Sequence, residues 1–215
     1  MPRRSYDSAL RREQAAATRQ RVIQAAAEQF SLNGYGGTSI ARIAAAAGVS
    51  SETVRTIGPK RVLLEEAAVL VTFGADPPTL DHIDDAGRRF GVDVDDADRW
   101  VSSMSELIAR LNVDAAGLFR AWASAAADDP EVAASWAAQQ RTVRDGWRTF
   151  VAWLDSKGWI TSPTDRDDLA TTVWLLTLAD TYTRIAASGG DEEQYRRWLE
   201  GSLRQLLFPT PSGTS

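Results

Sequence analysis

Apolar and small residues recur along this chain at intervals of three and four, and no run alternates with period two, so the whole chain reads as helix. From Gln14 to Asn33, Ala15, Val22, Ile23, Ala26 and Phe30 share one helical face, and Asn33-Gly34 supplies a stop. Gly34, Gly36 and Gly37 form a short connection to Thr38, whose hydroxyl suits the cap of the next helix. Gly58-Pro59 closes a later helix, and Pro59 opens another that runs through Lys60–Thr72. The segment from Phe73 to Pro78 is the clearest boundary. Beyond it the spacing predicts helices near 79–90, 95–110, 114–127, 130–156, 165–187 and 191–207. Turn signals separate them at Gly91, Asn112, Asp129-Pro130, Gly158, Ser162-Pro163 and Ser188-Gly189-Gly190. The tail over 209–215 has the composition of a disordered segment.

One stretch has a sharper pattern. Residues Thr38 to Ile57 read TSIARIAAAAGVSSETVRTI, which places Ile40, Ile43, Ala44, Ala47, Gly48, Val49, Val54 and Ile57 where two short helices cross at a tight turn. Ala44 is small enough for close approach, Gly48 can take a positive φ at the turn, and Ser50 can cap the second helix. Ser51, Glu52, Arg55 and Thr56 are left on the outer face, polar and able to meet a DNA groove. The alternative from the pattern alone is an ordinary helical hairpin.

Charge favours the first reading. The chain carries a net −5, but residues 1–72 hold 10 basic and 6 acidic side chains, whereas 73–215 hold 14 and 23. A basic N-terminal third on an acidic remainder fits one domain for phosphate and another for a different partner. Arg3, Arg4, Arg11 and Arg12 form a basic arm, either a DNA contact or a solvated tail. With no Cys there is no disulfide and no thiolate chemistry, and no apolar run reaches the ~18 residues of a membrane span. The opening MPRRSYDSALRREQ lacks an apolar core, so no secretory signal is expected and a cytoplasmic location follows.

Enzyme chemistry finds little support. His82, the only His, sits with Asp81, Asp84 and Asp85 in an acidic turn-rich segment that reads as surface. There is no phosphate loop or nucleophile elbow, and no cofactor is expected. Seven of the eight Trp fall after residue 120. Leu169–Ile185 is apolar around much of its circumference, and Tyr195–Phe208 carries Tyr195, Trp198, Leu199, Leu203, Leu206 and Leu207 on one face. Two such helices either fill the core or build a four-helix interface with a second copy.

The run Arg19–Leu64 (RQRVIQAAAEQFSLNGYGGTSIARIAAAAGVSSETV, then GPKRVLL) resembles the tetracycline-repressor family of bacterial regulators. Phe30, Gly34-Tyr35, Thr38, Ile43-Ala44, Ala47-Gly48-Val49-Ser50 and Thr53-Val54 carry that resemblance. It implies an all-α chain with a helix-turn-helix DNA-binding domain over 1–58 and a connecting helix over 59–73. A helical effector-binding and dimerisation domain would follow over 74–208. The implied protein is a homodimeric repressor that leaves a palindromic operator when a small molecule binds; the alternative is a helix-turn-helix regulator or architectural factor without an effector. The homodimer would form through the helices near 165–187 and 191–207. The implied DNA contacts are Ser50, Ser51, Glu52, Arg55 and Thr56 on the recognition helix, with Thr38 and Lys60 on backbone phosphates. Tyr35 either adds a phosphate contact or packs under the first helix. Trp122, Trp147, Trp174, Thr177, Asp180 and Tyr182 are the residues expected to line an effector pocket. One departure stands out: Arg55 occupies the place of the family's usual Tyr, and the chain is one residue short before Lys60.

Overall fold

The computed structural model describes residues 3–74 and 83–209, with side chains from residue 11 onward. Among these residues every regular element is an α-helix, so the fold is all-α as the spacing predicts. The order is α1 (Arg3–Gly37), α2 (Ile40–Ala47), α3 (Ser51–Ile57), α4 (Lys60–Phe73), α5 (Ile83–Arg89), α6 (Ala97–Ala126), α7 (Pro130–Ser156), α8 (Arg166–Leu176), α9 (Ala179–Ala187) and α10 (Glu192–Leu207). Helix α4 ends at Phe73, where the boundary was expected, and the rest of that boundary (75–78), the start of the helix over 79–90, His82 and most of the expected tail fall outside the described residues. None of the described helices is long and apolar enough to cross a membrane.

The chain divides into two compact units. The first joins Met1–Pro77 to Gly117–Trp136, and the second joins Pro78–Ala116 to Ala137–Ser215. This differs from a single C-terminal body over 74–208, and the side chains give the reason. Leu118, Ala121, Trp122, Ala125 and Val132 share one buried cluster with Val22, Ala26 and Phe30 of α1, Ile43 and Ala44 of α2, Val54 of α3, and Leu63, Leu64 and Ala67 of α4. Each large apolar side chain removed from water there contributes roughly 1.5–3 kcal/mol. Phe119, Trp122 and Trp136 add a group of rings with centroids 5.6 to 6.4 Å apart. The short α2 and α3 cannot bury their apolar faces alone; they do so against this larger core.

Helix α1 begins well before the expected Gln14, and its regular path ends where the sequence signals a stop. Gly34 has φ 69° and ψ 174°, a backbone state that L side chains avoid, and the chain turns sharply there. The capping expectation moves by one residue. Ser39, not Thr38, caps α2 by accepting the N–H of Arg42 at 3.2 Å. Thr38 is buried instead, and its hydroxyl lies 2.9 Å from the Gln29 carbonyl and 2.8 Å from that of Gly34.

In the second unit, α6 is one continuous helix through Asn112, where a turn was expected. Conversely, the single helix expected over 165–187 is broken between α8 and α9 at Thr177-Leu178. These two differences have one cause. The break leaves three successive carbonyls without their usual i+4 amide partners. The Thr181 hydroxyl donates to Leu175 O at 2.8 Å, the Tyr195 hydroxyl to Leu176 O at 3.1 Å, and the Asn112 amide to Thr177 O at 3.0 Å. Asn112 also donates to the Tyr195 hydroxyl at 2.9 Å. A buried amide on α6 therefore answers a backbone break 65 residues away. Around this network lie Trp100, Met104, Ile108, Trp147, Val151, Leu154, Leu169, Val173, Leu199 and Leu203. Asn112→Ala would strip the buried Thr177 carbonyl and Tyr195 hydroxyl of a partner. It should lower the unfolding free energy by about 1–3 kcal/mol, read from urea denaturation.

Candidate nucleic-acid interface

The helix-turn-helix is built from local chemistry. Gly48 closes α2 with φ 67° and ψ 38°, its N–H reaching the Ala44 and Ala45 carbonyls, and the Val49 N–H returns to Ala44 O at 3.0 Å. Ser50 then caps α3, accepting the Thr53 N–H at 3.1 Å while its oxygen lies 2.9 Å from the Thr53 hydroxyl. Val54 turns the inner face of α3 into the core, fully buried, and Ile57 packs beside it. Glu52, Arg55 and Thr56 are thereby left exposed on the other face, and Ser51 is half-buried at the helix start. The Thr56 hydroxyl donates to Glu52 O at 3.0 Å, so toward a ligand it is an acceptor.

Among the described residues the Arg55 side chain has no hydrogen-bond or ion-pair partner, and neither does that of Arg42, which is exposed on α2. Among the other described arginines, eleven are tied to acids, as in Arg148 with Asp145 and Asp167, or Arg196 with Glu193 and Glu200, whereas Arg110, Arg120 and Arg141 of α6 and α7 are also without a partner. Two uncompensated guanidiniums on the helix-turn-helix are what a phosphate- and guanine-reading surface requires. Sequence reasoning missed Arg42. Its place one residue before the buried Ile43-Ala44 pair, on the opposite side of a short helix, was the available signal.

The remaining expected contacts are placed differently. Burial takes the Thr38 side chain off the surface, so it cannot present its hydroxyl to a phosphate; its hydrogen bonds close the end of α1 instead. Tyr35 is half-buried, with its ring stacked on Phe30 at 5.7 Å, so it does pack against the first helix. Burial holds its hydroxyl above the ordinary tyrosine pKa, with the charge of Asp129 adding to the effect. The Lys60 ammonium donates to Tyr35 O at 2.7 Å and Thr38 O at 3.1 Å, and it sits 3.9 Å from the centre of the Tyr35 ring. Burial pulls its pKa below the ordinary lysine value.

Of the residues expected in an effector pocket, two are corrected. Trp122 belongs to the core of the first unit, and its indole donates to Ser135 Oγ at 3.3 Å. Asp180 is exposed in the first turn of α9 and pairs with Arg184 at 2.8 Å, because the break at Thr177-Leu178 turns it away from the position a continuous helix would give. Trp147 and Thr177 are buried in the second unit, with Trp174 and Tyr182 partly buried beside the same core. The Trp174 indole N–H and the Ser105 hydroxyl are buried there with no hydrogen-bond partner among the described residues. Ser105 was not foreseen, since one serine on an apolar helix face carries no motif. Among the described residues no three His, Cys, Asp or Glu side chains come together as a metal site.

A capped second helix with Arg55 on its exposed face, following Arg42 on α2, has the geometry of a DNA-reading helix-turn-helix. Residues 22–54 match the model of the bacterial regulatory proteins of the tetR family. No curated protein matches the chain. Solved structures share its fold over nearly their full length. One from Rhodococcus sp., assigned to the TetR-family transcriptional regulators, has a TM-score of 0.69 at 18% identity, covering 88% of this chain and 98% of its own. GusR of Salmonella enterica gives 0.62 at 23%, with 89% and 95% covered. PfmR of Thermus thermophilus, a TetR-family regulator, gives 0.55 at 17%, with 90% and 97% covered. Residues 22–54 thus carry a TetR-type helix-turn-helix, within a chain that shares the fold of these structures.

Two substitutions separate base reading from backbone holding. Arg55→Ala should weaken binding to the preferred duplex by about 1–3 kcal/mol and relax its sequence preference. Arg42→Ala should weaken binding on all sequences alike and flatten the slope of log affinity against log salt by about one. Fluorescence-anisotropy titrations on a preferred and a scrambled duplex measure both.

Proposed function

We propose that the protein is a homodimeric repressor that holds a palindromic operator through α3 and leaves it when a small molecule binds the second unit. The observation that carries the DNA half is the pair of uncompensated arginines, Arg42 and Arg55, on an exposed and fully capped helix-turn-helix. Ser50, Ser51, Glu52 and Thr56 complete the reading surface.

The dimer half rests on α9 and α10. Helix α9 has no buried residue within the chain although its sequence is amphipathic, and Trp198 of α10 and Leu175 of α8 leave large apolar surfaces exposed. A second copy packed across these helices covers them and presents two α3 helices related by a twofold axis. Half-sites about 34 Å apart, one DNA turn, then follow.

The effector half rests on the second unit. Trp147, Trp174 and Tyr182 offer aromatic surface, and the Trp174 N–H and Ser105 hydroxyl are buried donors that no described residue satisfies. An apolar molecule carrying a hydrogen-bond acceptor answers both features. By linkage, an effector that prefers the non-binding arrangement lowers operator affinity by the same factor that DNA lowers effector affinity.

The experiment is an electrophoretic mobility shift on the DNA flanking the protein's own gene, repeated with apolar acceptor-bearing compounds. The reading expects a salt-sensitive shift that some compounds abolish; a ligand that saturates the second unit and leaves operator affinity unchanged removes the effector. Trp198→Glu should convert the dimer to a monomer in size-exclusion chromatography with light scattering. It should also weaken operator binding, since one half-site is then held at a time.

A further inference from the structure

Of the chain's 24 basic side chains, 22 are arginine and only two are lysine, Lys60 and Lys157. Surface cations here are written as arginine, so the two exceptions call for a reason in their surroundings. Both side chains converge on oxygens and rings. Lys157 donates to Asp84 Oδ1 at 2.8 Å and to Val94 O at 3.1 Å, 4.8 Å from the Trp153 ring centre and 5.7 Å from that of Trp159. Lys60 has the same arrangement on Tyr35 O, Thr38 O and the Tyr35 ring. An ammonium is a compact charge whose three donors point in different directions and can be drawn to one point; a planar guanidinium fork cannot copy that convergence.

We infer that Lys60 is a positioning residue that fastens the two ends of the helix-turn-helix together, and not a phosphate contact. The inference rests on operator binding by α3. Two carbonyls and a ring face account for all three directions of its ammonium, leaving no N–H for a phosphate. The cleft beside it is lined by Asn33, Tyr35, Ser124, Asp128 and Asp129, so an approaching phosphate would meet carboxylates. One carbonyl it takes, that of Tyr35, belongs to the end of α1 just past the Gly34 interruption, and the other, that of Thr38, lies in the link to α2. Thr38 precedes α2 and Lys60 opens α4, so α2, the turn and α3 form a loop closed by a 3.1 Å bond across 22 residues. Through that closure Lys60 fixes how the outer face of α3 is offered to DNA.

The test compares the full-length wild type with Lys60→Met and Lys60→Arg on a duplex selected from random DNA by the wild type. Melting temperature, affinity across a salt series and 15N spectra of the lysine ammonium groups are measured. Both variants should melt several degrees lower. Both should bind about tenfold more weakly at a temperature where circular dichroism shows them fully folded, with the salt slope of the wild type. The two lysines give two ammonium resonances, and that of Lys60 should have exchange-protected protons and stay in place when DNA is added. The opposite pattern overturns the inference: Lys60→Arg binding like the wild type, with Lys60→Met losing about one ion of slope at unchanged melting temperature. Two variants indistinguishable from the wild type overturn it as well. Should Lys60→Met fail to fold, the response of the wild-type ammonium resonance to DNA decides. A wild type that shows no salt-dependent DNA binding defeats the operator reading instead, and leaves the melting data to judge the clamp.

Discussion

A helix that stops must hand its last carbonyls to something, and this protein is organised around how that need is met. At the Gly34 break of α1 the takers are the Thr38 hydroxyl and amide and the Lys60 ammonium. Because the ammonium comes from the start of α4, satisfying one helix end also fixes the two helices between. At the break between α8 and α9 the takers are Thr181, Tyr195 and Asn112, drawn from three different helices. In each unit a backbone irregularity is stabilised by side chains far away in sequence. Leaving such a group buried and unmet costs about 1–3 kcal/mol, a sizeable part of a domain's net stability.

This explains which features the sequence made legible. The all-α class and the helix-turn-helix could be read because their causes are local: period-3.6 spacing, a glycine at a left-handed turn, a serine one residue before a helix. Gly48 and Ser50 do in the structure what their positions imply. The cap of α2 slipped by one because Thr38 and Ser39 offer the same hydroxyl, and only burial distinguishes them. Asn112 resembles a turn signal in isolation, and its partners are 65 and 83 residues away. The break at Thr177-Leu178 has no glycine or proline to mark it, so nothing within the segment could reveal it.

The candidate site divides along the same line. Glu52, Arg55 and Thr56 were legible as an outer face because a helical wheel needs only the positions of Val54 and Ile57. Lys60 was legible as a cation but not as an occupied one, since its partners come from α1. Trp122 was read with the other tryptophans because composition groups residues along the chain, whereas packing assigned it to the helices that precede it.

The core of the DNA-binding unit is sewn from two stretches of chain, the second of which ends at Trp136. A ribosome that has released the whole helix-turn-helix must still add roughly 75 residues before Trp122 and Val132 are both available to that core, about 4–15 s at typical elongation rates. During that interval the apolar faces of α1 and α4 that later meet α6 are exposed to water and to chaperones. The reading head is therefore among the first segments made but not among the first finished. Moved as a cassette into another protein, it would have to carry the end of α6 and the start of α7 with it.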